Sequence, residues 1–127
     1  MADTQIATAT IIFSTTLTEI ISTSSLGLIE LGIDWTNLPA GTVVMVSVNA
    51  ILISGGNYVE IDNFSFSNPI AVPVGTTTAA PTPGYVGAPA NPPRVYNMTV
   101  GPLMVNAQII SGSANTTACD VWLNQVS

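Results

Sequence analysis

The stretch TVVMVSVNAILI (residues 42–53) constrains the fold most, because its apolar and β-branched residues alternate. Val44, Val46, Val48, Ala50 and Leu52 fall on one face, while Val43, Met45, Ser47, Asn49 and Ile51 fall on the other. Successive side chains of a strand point to opposite faces, so this pattern predicts a strand with one face in a core and a mixed, partly wet second face. A turn signal, SGGN at 54–57, leads into YVEIDNFSF, which predicts a hairpin. Within that second strand Val59 and Ile61 share one parity and Phe64 and Phe66 the other, so a bulge or bend is expected near Asp62–Asn63.

The same period recurs along the chain. In GLIELGIDW, Ile29, Leu31, Ile33 and Trp35 share a side; Tyr96, Met98 and Val100 share another, as do Leu103, Val105, Ala107 and Ile109. Strands are expected at 5–13, 16–23, 27–35, 42–53, 58–67, 94–100, 103–111 and 116–126. A helix over 15–22 competes for the second of these, because Phe13, Leu17, Ile20 and Ile21 fit helical spacing. The density of Thr and Ser argues for the strand: their stiff or backbone-bonding side chains disfavour a helix interior. About eight short strands joined by turns predict an all-β, single-domain antiparallel β-sandwich of jelly-roll type. At 127 residues the chain is one domain, 1–127, able to bury roughly two-thirds of its unfolded surface.

Charge narrows the function. Only 6% of residues are charged, against about 25% in ordinary soluble domains. Seven carboxylates and one basic residue, Arg94, leave a net charge of −6, with no Lys and no His. Neutralising phosphates needs several cations, so nucleic acid and anionic membrane surfaces are excluded as partners. The longest apolar run is too short to span a bilayer as a helix. The N-terminus lacks a basic stretch followed by an apolar one, so a chain made and used inside a cell is expected.

Little chemistry is available. Catalysis would fall to carboxylates alone, so no enzyme activity is expected. Glu60 and Asp62, two apart on a strand, should project from the same face; with Asp120 they are the best candidates for a calcium site, though no known loop spacing is present and no metal or cofactor is expected. The single cysteine, Cys119, sits in a strand-like segment and reads as a small buried hydrophobe. Trp122 shares its parity with Asp120 and Asn124 and should face outward, where an aromatic ring flanked by polar groups could stack on a sugar.

Residues 68–93 break the pattern, holding seven of the nine prolines and no charge. Pro-rich chain is stiff, advancing about 3.1 Å per residue, and loses little entropy on binding. A Pro/Gly-rich arm reaching over a neighbouring subunit is therefore expected, with Tyr85, Pro92, Pro93 and Arg94 as contacts. Met45, Ile51 and Ile53 extend that interface on the half-apolar outer strand face. Arg94 has two readings: an ion pair within the chain, or one across an interface.

A strand-rich chain with Ser, Thr and Asn polarity, the segment LPAGTVVMVSVNAILIS and the C-terminal CDVWLNQVS resembles the small decoration, or cement, proteins of bacteriophage and viral capsids. The resemblance implies a structural virion protein on the capsid exterior, made in the host cytoplasm. It implies a homo-oligomer, foremost a trimer, bound to a major capsid protein. The alternative is a carbohydrate- or receptor-binding module of a viral fibre, with Trp122, Asp120 and Asn124 as its site.

Overall fold

A computed structural model describes residues 4–34, 37–67 and 94–126. Tyr85, Pro92, Pro93, Trp35 and the 68–93 arm lie outside the described residues. Eight strands follow one another: β1 (Thr4–Ile11), β2 (Thr18–Thr23), β3 (Gly27–Ile33), β4 (Val43–Ile51), β5 (Tyr58–Ser67), β6 (Arg94–Met98), β7 (Leu103–Ser111) and β8 (Cys119–Val126). Among the described residues there is no helix, and so none long and apolar enough to cross a membrane. β2 stands where the strand over 16–23 was expected, and the competing helix over 15–22 does not form.

The strands form two four-stranded antiparallel sheets, ordered β1-β8-β3-β6 and β2-β7-β4-β5. Pairing is nested: β1 with β8, β2 with β7, β3 with β6, and β4 with β5. This is a hairpin ribbon rolled into a sandwich, the jelly-roll pattern. The core lies between the sheets and is built from the alternating residues. Val44, Val46, Val48 and Ala50 of β4 are fully buried, as are Ile29, Leu31 and Ile33 of β3. Each such Val, Leu or Ile contributes about 1.5–3 kcal/mol of burial. Leu52, expected on the same face, lies past the strand end and is half exposed. Phe13 and Phe66 meet edge to face at 6.0 Å, closing the core at one end.

Two bulges account for residues that break the alternation. One in β2 between Glu19 and Ile21 turns the consecutive Ile20 and Ile21 both inward. The other falls in β5 at Ile61, between Glu60 and Asp62, one position earlier than expected. It keeps Val59, opposite Ala50, and Phe64 and Phe66, opposite Val46 and Val44, all on the inward side.

The connections gather at two ends. At one, Asn115 is 3% exposed and ties two of them together. Its Oδ1 accepts from the Phe13 N–H (2.9 Å), and its Nδ2 donates to the carbonyls of Ile11 (2.9 Å) and Thr117 (3.0 Å). Thr42 Oγ1 donates to the Ser113 carbonyl (2.9 Å) and accepts from the Ser113 N–H (3.0 Å). The β2–β3, β4–β5 and β6–β7 connections meet at the opposite end, where the Ile51 N–H donates to the Pro102 carbonyl (3.2 Å).

Candidate functional site

The inward side of β5 meets β6 at one open edge of the sandwich. Asp62 lies opposite the buried Val48, Arg94 opposite Leu31 and Tyr96 opposite Ile29, so all three side chains enter the gap between the sheets. Arg94 Nη1 donates to both Asp62 oxygens (3.1 and 3.3 Å), and the Tyr96 hydroxyl donates to Asp62 Oδ2 (2.7 Å). The guanidinium also sits 4.1 Å from the centroid of the Phe64 ring. Of the two readings for Arg94, the pair within the chain is the one observed. The Tyr96 hydroxyl is pushed well above the usual tyrosine range, first by burial and then by its bond to the Asp62 carboxylate.

Glu60 and Asp62 do not share a face. The bulge at Ile61 inserts one residue between them, sending Glu60 outward opposite Asn49 while Asp62 turns inward. Glu60 Oε1 accepts from Ser47 Oγ (2.7 Å) and Asn63 Nδ2 (2.9 Å), and these bonds hold its carboxyl below the usual range. Asp120, on β8 of the other sheet, joins neither carboxylate. Among the described residues no three acidic, Cys or His side chains cluster as metal ligands.

Met45, Ser47 and Asn49 do line the outer face of the β4 sheet, with Ile51 at its end, all half-buried except the buried Ser47. Asn63 and Asn106 flank Ser47 on either side. This face carries amides and hydroxyls around Met45, together with the Glu60 carboxylate that Ser47 and Asn63 bind.

Asp120, Trp122 and Asn124 share the outer face of the β8 sheet, as their parity implied. Trp122 lies over Gly32 of the adjacent strand: a Cβ on Gly32 would fall 2.1 Å from the indole Cε2. Only a glycine at that position leaves room for the ring to lie on the backbone. Cys119 faces the core, and burial pushes its thiol up to about 11, which keeps it protonated and unreactive at neutral pH.

The end where β2–β3, β4–β5 and β6–β7 meet is the apolar one. Ile53, at the hairpin turn, is 75% exposed, and Leu26, Leu52, Tyr58, Val59 and Val100 are exposed around it. None of the six is charged. Sequence reasoning named Ile53 and missed the other five, because they come from three connections and the start of β5, which only the fold brings together. No protein-family model matches the chain, and no curated protein or solved structure matches it.

Proposed function

We propose that this chain is a structural subunit of a virus particle, a decoration or cement protein that associates with copies of itself and seats its apolar end on a shell of major capsid protein. A jelly-roll sandwich alone hosts many roles, so the reading rests on the surface. The observation that carries it is the cluster of Leu26, Leu52, Ile53, Tyr58, Val59 and Val100 at one end. Exposed apolar groups gathered in one place mark contact surfaces, whereas scattered ones need no explanation. The scarcity of charge supports the same reading, since little repulsion opposes close packing. The trimer that the resemblance implies is one form of this proposal, and an assembly with an even number of chains is another.

The test is the native mass of the 13.1 kDa chain as recovered from the cells that make it. An oligomer or a particle-bound species is expected, and Ile53→Asp with Leu26→Asp, both in exposed connections, should release it from the particle while leaving it folded. A partnerless monomer overturns the reading. The second reading, a sugar-binding module, is favoured by the outward Trp122, Asp120 and Asn124; it requires glycan binding by the wild type that Trp122→Ala abolishes.

A further inference from the structure

We propose that β1 is the edge by which two copies of this chain pair, β1 against β1, antiparallel across a two-fold axis. This deepens the assembly reading by naming one contact that builds the oligomer.

β1 ends its sheet, and among the described residues no strand pairs with its other side. An edge strand offers a row of N–H and C=O groups that a further strand can complete, and stable proteins guard such edges with charge, bulges or brevity. The other three edges are guarded. β6 has five residues and carries Arg94; β5 is bulged at Ile61 between Glu60 and Asp62. β2 has six residues, a bulge at Ile20 and the carboxylate of Glu19. β1 has its irregularity near the start, between Gln5 and Ala7, and then runs in regular register over Ala7–Ile11. That segment, ATATI, contains no charge, no proline and no glycine.

The flank of β1 is also incompletely covered. Ile6, Ala7, Ala9 and Ile11 pack on the core yet stay partly exposed, while Cys119, Val121 and Leu123 on the neighbouring β8 are buried. Beside them a cleft of about 130 Å³, lined by Ile11, Ile12, Phe13 and Ile20 among others, opens between β1 and β2. Ile12 at its rim is 52% exposed. A strand added to β1 would satisfy the backbone row and cover these side chains together.

The segment suits a second copy of itself. With Ala9 opposite Ala9 of the second copy, each Thr8 meets a Thr10 on the outer face and each Ala7 meets an Ile11 on the inward face. Cross-strand hydroxyl pairs and aliphatic pairs are favourable, and no like charges oppose one another. A two-fold axis makes the contact self-closing, so pairing stops at two chains.

Sedimentation and hydrogen exchange of the full chain over a dilution series test this. An even number of chains is expected, with alternate amides in 7–11 protected at least about tenfold more in the concentrated sample than in the dilute one. Thr8→Lys with Thr10→Lys places lysine against lysine on an exposed face, so it should return a folded monomeric unit whose thermal unfolding matches that of the dilute, dissociated wild type. A trimer overturns the proposal, as does an assembly whose β1 amides ignore dilution and whose mass ignores the two lysines. Either result leaves the assembly reading standing; only a chain that is monomeric and partnerless at every concentration removes both.

Discussion

At the scale of single residues, the loop end depends on positions where the chain has no room to spare. Gly112 has φ +91°, and a Cβ there would meet Thr42 Oγ1 at 2.6 Å and Thr42 Cα at 2.7 Å. The second contact is to backbone, so no side-chain rotation relieves it. Gly55 has a similar φ of +75°, yet a Cβ there would meet nothing within 4 Å. The pair separates conformational strain from crowding. Gly55→Ala should cost about 1 kcal/mol, the left-handed penalty alone. Gly112→Ala should cost about 2–3 kcal/mol, since the strain is joined by displacement of the Thr42–Ser113 hydrogen bonds. Urea unfolding of both variants measures the difference. Equal losses would show that the Thr42 contact yields freely.

At the scale of elements, the Asp62, Arg94 and Tyr96 cluster fastens β5 of one sheet to β6 of the other where the sandwich is open. Its pH dependence follows from Tyr96. Burial and the Asp62 carboxylate raise the hydroxyl above its ordinary value of 10.0, so the folded state favours the protonated phenol. Stability from this group is complete below pH 10 and is lost as pH climbs above it, because the unfolded chain ionises first. Tyr96→Phe should cost roughly 0.5–1.5 kcal/mol at neutral pH, from the lost hydrogen bond. The variant should then lose less stability than the wild type between about pH 8 and about pH 11. Urea midpoints at the two pH values check this, and parallel losses would refute it. The strands themselves were legible because period two survives wherever a strand has one buried face, and all eight appear within a few residues of their expected bounds. What sequence parity could not register was the single inserted residue. Ile61 placed Glu60 and Asp62 on opposite faces, so the inferred carboxylate pair dissolved into one polar network and one inter-sheet latch. Asn115 was likewise illegible, since its partner Phe13 stands 102 positions away and nothing local marks the bond.

At the scale of the whole molecule, the governing fact is a surface that holds itself apart from other surfaces only weakly. Seven carboxylates and one arginine serve 127 residues, and the one described ion pair, Arg94 with Asp62, is internal to the chain. The apolar end and the uncharged β1 edge therefore have no charges with which to recognise a partner. Contacts made by apolar burial and backbone hydrogen bonds respond to salt differently from contacts made by ion pairs. Raising ionic strength to about 1 M shrinks the screening length to about 3 Å and weakens exposed charge pairs, while apolar burial is left intact. It also screens the −6 net charge of each subunit, removing the little repulsion that opposes association. The assembled mass should accordingly be retained, or its dissociation constant should fall, between low salt and about 1 M sodium chloride. Sedimentation velocity at matched protein concentration reads this directly. Dissociation in high salt would mean that the carboxylates and Arg94 make the contacts between subunits, and that the apolar end is not the surface holding the assembly together.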